Sequence, residues 1–133
     1  MKRHQSLQIL SREHHKALRL AVQAKRVSMS GDQLMINATA SACLAAFYTE
    51  LDPHFVVEES SLLPLLAQSG EDKLVQRVQY DHRELRRLCR QLQNPDSATL
   101  LEFGELLMRH VRFEERELFV ALEAHFGRLN KRE

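Results

Sequence analysis

Four stretches of this 133-residue chain carry apolar residues spaced by three and four, and a histidine interrupts every one of them. Residues so spaced share one face of a helix, so each stripe predicts the buried side of an amphipathic helix, with its polar interruptions pointing inward. The clearest stripe reads Leu100, Phe103, Leu107, His110, Glu114, Leu118, Ala121. The second stripe in the chain reads Ala40, Leu44, Phe47, Leu51, His54, Glu58, Leu62, Leu65. The first and third read Leu7, Leu10, His14, Leu18, Ala21 and Leu74, Val78, His82, Leu85, Cys89, Leu92. Two stripes therefore bury a His and a Glu four apart, and two bury a His alone.

Turn chemistry separates the stripes at Ser28-Met29-Ser30-Gly31-Asp32, at Gln68-Ser69-Gly70 and at Asn94-Pro95-Asp96-Ser97. The predicted helices run from Ser6 to Val27, Asp32 to Ala67, Glu71 to Gln93 and Ser97 to Phe126, with Gly127 as a C-terminal cap. Short connections make neighbours antiparallel, so the fold class is all-α, an up-and-down antiparallel four-helix bundle forming a single domain over 1–133. Composition agrees: aromatic residues are 6% and tryptophan is absent, which leaves few residues suited to sheets. Pro53 and Pro64 conflict with a plain long second helix, because proline removes a donor and crowds the preceding turn. Either a kink near Pro53 or a fresh helix capped by Asp52 resolves the conflict, and both keep His54 and Glu58 on one face.

An ionised carboxylate in an apolar stripe is costly unless positive charge meets it. Here Glu58 and Glu114 each lie one turn from a histidine, giving a nitrogen and an oxygen side by side, twice. In an up-and-down bundle, residues at equal height are equidistant from the turn that joins their helices. The midpoint of positions 56 and 82 is 69, within the Ser69-Gly70 turn, and that of 82 and 112 is 97, beside the third turn. Positions 14 and 56 have a midpoint of 35, three residues past the turn at Asp32, an offset of about 9 Å along the helices. His14 is thus the least well placed of six candidate ligands: His14, His54, Glu58, His82, His110 and Glu114. Four imidazoles and two carboxylates suit iron, manganese or a pair of zinc ions. The number of ligands argues for two metals, and two glutamates leave two divalent ions under-neutralised without an oxide or hydroxide bridge.

Charge supplies no further partner. The formal net charge is +1, too small for a field that attracts nucleic acid or a membrane surface. The start, Met-Lys-Arg-His-Gln-Ser, has no apolar signal core, and no apolar run approaches the roughly 20 residues of a membrane span, so a cytoplasmic setting is expected. Cys43 and Cys89 lack metal or redox spacing and read as small core residues.

The stretches LSREHHKAL, PHFVVEESSLLPLL, DHRELRRL and RHVRFEERELF resemble the hemerythrin-like family of HHE cation-binding domains, over nearly the whole chain. The resemblance implies iron, His14 rather than His15 as the first-helix ligand, and Glu58 and Glu114 as bridging carboxylates. It implies binding or sensing of dioxygen or nitric oxide, or iron handling. Oxygen carriers of this family have a second histidine four residues after the first in the third helix, and here that position is Arg86. The missing histidine leaves room for solvent or for Glu59 at one iron and opens an alternative, a redox enzyme acting on peroxide or oxygen. A metal-free helical interaction module is a second alternative, which the buried glutamates oppose.

Other polar residues read more plainly. His15 points about 100° away from His14, towards the surface. His4 and His125 lie near helix ends. Glu59 and Glu115 sit one position off the stripe, facing solvent or orienting a ligand histidine. Arg83, Arg86, Arg87 and Arg90 form a basic flank read as a solvated face paired with nearby acids.

Overall fold

The computed structural model describes residues 3–132, which form four helices and no strand among them. Helix α1 spans Gln5–Ser28, α2 spans Gln33–Gln68, α3 spans Asp72–Gln91, and α4 covers 97–132. Consecutive helices pack side by side and α4 closes on α1, so the bundle is up-and-down and antiparallel. The helix starts follow capping chemistry: Asp32 accepts from the backbone N–H groups of Leu34 and Met35, and Asp96 accepts from that of Thr99. Gly70, at φ 81°, ends α2 with the Glu71 N–H bonded to the Leu66 carbonyl at 2.9 Å, a turn that needs the left-handed backbone only glycine adopts freely.

Two expectations about helix ends are corrected. Gly127 does not cap α4, which continues to Arg132. A glycine inside a helix weakens it by only about 1 kcal/mol, and Gly127 does not take the positive φ of a cap. Asp52 does not open a fresh helix either, since its φ of −66° and ψ of −42° are helical. The proline problem is solved by π-turns, at Phe47–Leu51 before Pro53 and at Glu58–Leu62 before Pro64. The wider turn relieves the clash of the proline ring with the preceding carbonyls. A third π-turn, Glu114–Leu118, interrupts α4 without a proline.

Two apolar clusters fill the bundle. One contains Ala21, Phe47, Leu85, Phe103 and Leu107, and the other contains Leu7, Leu66, Val78, Leu118 and Leu122. By length and composition α2 would pass for a membrane span, although polar residues interrupt its apolar runs. Its inner side packs against the other helices through Phe47, Phe55 and Leu66, all at most 2% exposed.

Helices α1 and α4 approach most tightly at Gly104, where an added Cβ would stand 2.9 Å from the Ala21 carbonyl oxygen. A Cβ at Gly127 would meet nothing within 4 Å. Gly104→Ala is therefore expected to destabilise the protein by about 1–3 kcal/mol in chemical denaturation. Gly127→Ala should stabilise it by about 0.5–1 kcal/mol. Equal effects of the two substitutions would refute the close approach.

Candidate metal centre

The six candidate residues converge. His14, His54, Glu58, His82, His110 and Glu114 are each at most 3% exposed. They form two overlapping groups, His14, His54, Glu58 and Glu114 in one and Glu58, His82, His110 and Glu114 in the other. Within each group one ligand atom per residue lies within 4.8 Å of all the others. Both glutamates belong to both groups.

The Nε2 atoms of all four histidines face these two carboxylates. His14 Nε2 lies 2.9 Å from Glu114 Oε1, His82 Nε2 3.1 Å from Glu58 Oε1, His54 Nε2 3.3 Å from Glu58 Oε2 and His110 Nε2 3.2 Å from Glu114 Oε2. His14, the least well placed by spacing, sits at the common level, with its ring 4.9 Å from that of His54. Part of the offset is taken up by the π-turn at Phe47–Leu51, which adds a residue to α2 between the first turn and the site.

The opposite ring nitrogens face a second set of carboxylates. His82 Nδ1 donates to Glu59 at 2.6 Å, His14 Nδ1 to Glu115 at 2.8 Å and His110 Nδ1 to Asp81 at 2.9 Å. Glu13 stands 3.5 Å from Nδ1 of His54, beyond hydrogen-bonding distance. An ionised carboxylate only accepts, so these contacts place the proton on Nδ1 and leave the Nε2 lone pair turned inward. Glu59 and Glu115 thus orient histidines from neighbouring helices. Asp81 and Glu13 were missed in the sequence, although each immediately precedes a candidate histidine, as Asp81-His82 and Glu13-His14.

Three arginines hold the outer carboxylates. Arg86 donates to Asp52 at 2.9 Å and to Glu59 at 2.9 and 3.2 Å, Arg77 donates to Asp81 at 3.0 Å, and Arg3 lies 3.6 Å from Glu115. Arg86 is therefore an anchor for Glu59, and Glu59 stands outside both four-residue groups. Arg87 pairs with Glu84 and Glu102, so half of the basic flank is matched by acids. His15 is exposed. His4 packs against Phe126 with ring centres 4.3 Å apart, and His125 contacts Ser69 at 3.0 Å, both near helix ends.

Protons must settle the cluster's charge when no cation is bound. Burial, then the Glu114 carboxylate, pushes the Glu58 carboxyl well above its usual value. Burial opposes ionisation of Glu114 too, but the charge on His110 and the other histidine nitrogens around it outweigh burial and hold that carboxyl well below its usual value. Burial lowers His110, yet Glu114 and the bond to Asp81 raise it to about 10. His82, buried beside His110, falls to about 4.

Whether cations fit can be judged from the atoms left without partners. Five buried atoms make no hydrogen bond: His54 Nδ1 on the outer side, and His54 Nε2, Glu58 Oε2, His110 Nε2 and Glu114 Oε2 on the inner side. Each such atom costs about 1–3 kcal/mol, and coordination would satisfy the inner four. Nitrogen and oxygen donors, inward lone pairs and shared carboxylates suit a borderline or hard cation. The hemerythrin HHE cation binding domain matches residues 5–122. The chain belongs to the hemerythrin family. Among curated proteins and solved structures, nothing matches it. Membership carries the coarse statement that this is a cation-binding domain, and the buried His/Glu groups fit it. Domains of the hemerythrin type bind small ligands at a metal centre.

The proton positions predict how the metal-free protein responds to pH. Folded His110 keeps a proton up to about 10, whereas the unfolded chain releases it near 6.5. The stabilisation it contributes is complete below pH 6.5 and is lost as pH rises through about 10. Glu58, also raised, acts in the same direction. His82 acts oppositely, but only between about 4 and 6.5. The denaturation midpoint of chelator-treated protein should therefore fall between pH 6.5 and 10. Bound cations displace these protons, so loaded protein should lack the decline. A flat or rising midpoint without metal would contradict the proton placement.

Proposed function

We propose that this chain is a single-domain, non-haem di-iron protein that binds or senses dioxygen or nitric oxide, or handles iron, through a carboxylate-bridged centre. The carrying observation is the sharing of Glu58 and Glu114 by two four-residue groups, each completed by its own pair of histidines. His14 and His54 would hold one iron, His82 and His110 the other, and the two glutamates would bridge them. Because Arg86 and Arg77 already offset the charge of Glu59 and Asp81, an oxide or hydroxide would be needed to complete the neutralisation. When bound, the ferrous pair would supply electrons to a small ligand.

The chain's own residues set the conditions. Outer carboxylates fix His14, His82 and His110 in the Nδ1–H form, keeping their Nε2 atoms available. Phe55 stacks on His82 at 3.8 Å and Phe119 on His14 at 5.1 Å, forming apolar walls that restrict water. Arg86 contributes no ligand nitrogen. That last point supports the alternative reading, a redox enzyme that reduces peroxide or oxygen.

Protein purified anaerobically with iron supplied should contain close to two irons per chain. Glu58→Ala or Glu114→Ala should lower that content, and His15→Ala should not; equal retention in all three contradicts the assignment. Ligand chemistry is tested next, by exposing reduced protein to oxygen and degassing it. Recovery of the starting spectrum supports reversible binding. Irreversible oxidation, with turnover of peroxide in the presence of an electron donor, supports the enzyme instead.

A further inference from the structure

The outward face of α2 is unlike the rest of the surface. Charged residues make up 28% of the chain, yet among the 17 exposed residues from Leu34 to Ala67 the only charged one is Glu50. The face carries Leu34 at 80%, Tyr48 at 52% and Val56 at 51% exposure. Among the described residues, five of the eleven exposed large hydrophobics lie on this helix. Its ridge continues through Ala38, Ala45 and Pro64 over the helix length, and the other three helices pack only on its opposite side. Uncharged, partly apolar surface of this extent marks an interaction site.

We propose that this face is covered by the same face of a second copy of this chain, the two α2 helices packing antiparallel about a twofold axis near mid-helix. Three observations select that occupant. A face without lysine or arginine offers nothing to nucleic acid or anionic lipid, and one carboxylate offers little to a basic partner. Against its own copy, the face brings only Glu50 near its symmetry mate, and that carboxylate is already paired with Lys16 of the same chain at 3.8 Å. Side-chain size also alternates usefully. About a midpoint between positions 50 and 51, Ala45 of one helix stands opposite Val56 of the other, and Leu34 opposite Ala67, all exposed in the single chain. In an antiparallel twofold pair each of these small residues thus receives a large one, and every contact is made twice.

The area suffices. At the usual 30–40 Å² per interface residue, these positions would bury about 600 Å² on each partner, or about 1,200 Å² in all, the lower limit for a specific interface. A bilayer is the competing cover, since α2 is long and apolar enough in composition to cross one. The ridge includes Ser41, Thr49 and Ser60 and lacks the flanking basic residues of an interfacial helix, which favours a protein partner.

Sedimentation equilibrium of the metal-loaded protein at tens of micromolar, a range that detects micromolar dimers, should give twice the 15.5 kDa of one chain. Ala45→Arg and Val56→Arg each place a charge on the ridge, and each should return the mass to that of one chain. Helicity by circular dichroism and metal content should be unchanged, which separates dimer loss from unfolding. A monomer at all concentrations, or a dimer that both variants leave intact, overturns the proposal. Flotation with phosphatidylcholine vesicles, and with vesicles containing phosphatidylserine, tests the bilayer: vesicle binding that the same variants abolish would assign the face to lipid and also overturn it.

Discussion

Glu58 and Glu114 have no solvent exposure and lie between two apolar clusters, and the charge balance around them governs the centre of the molecule. A carboxylate that loses its hydration must be neutralised or met by positive charge, at a cost of several kcal/mol if it is not. Four imidazoles surround the pair, but neutral imidazoles with Nδ1 protonated present lone pairs towards lone pairs. In the absence of a cation the cluster can hold together only by keeping protons, one on the raised Glu58 and one on His110. Cations and protons therefore compete for the same atoms, and cation binding contributes directly to folding.

Around this centre the charges alternate outwards. From the surface inwards, Arg86 holds Glu59, Glu59 holds His82, and His82 faces Glu58. A parallel series runs from Arg77 through Asp81 and His110 to Glu114. On the other side Arg3 and Ser11 contact Glu115, which holds His14. His54 is the exception, with Glu13 at 3.5 Å and no hydrogen bond at either ring nitrogen. The outer residues matter because a histidine held at one nitrogen has a fixed direction for the other, and direction decides whether four nitrogens meet at one level. Arg86 acts through this series rather than at the centre.

Much of this was legible in the chain. Apolar spacing located all four helices, because a buried stripe is a strong periodic signal, and the buried glutamates stood out because nothing apolar could compensate them. Turn midpoints placed five of the six residues at one height. They misplaced His14 because counting along ideal helices ignores π-turns. Glu13 and Asp81 escaped notice because an acidic residue beside a histidine usually faces solvent, and only the packing of neighbouring helices turns it towards a different histidine. Gly127 was misread because a glycine near a helix end is as compatible with continuation as with a cap when no packing demands a turn there.

The π-turns have a signature in the buried residues, where Leu66 and Leu122 take the places expected of Leu65 and Ala121. His54, Glu58, Leu62 and Leu66 are all buried, as are His110, Glu114, Leu118 and Leu122. Each set advances by four residues three times in succession. With 3.6 residues per turn, a step of four drifts by about 40°, so three steps in an ideal α-helix carry the last residue about 120° from the first. A residue that far round would leave the core. Each set instead contains a π-turn, opened by its glutamate at Glu58–Leu62 and Glu114–Leu118, which absorbs one extra residue and returns the later leucines to the inner face. The same two glutamates thus stand at the centre of the charge cluster and at the point where each helix changes its winding. Placing a π-turn at a functional site is a common solution, and here the uninterrupted four-residue spacing shows why the chain requires one in each of the two helices that carry a His-x-x-x-Glu pair.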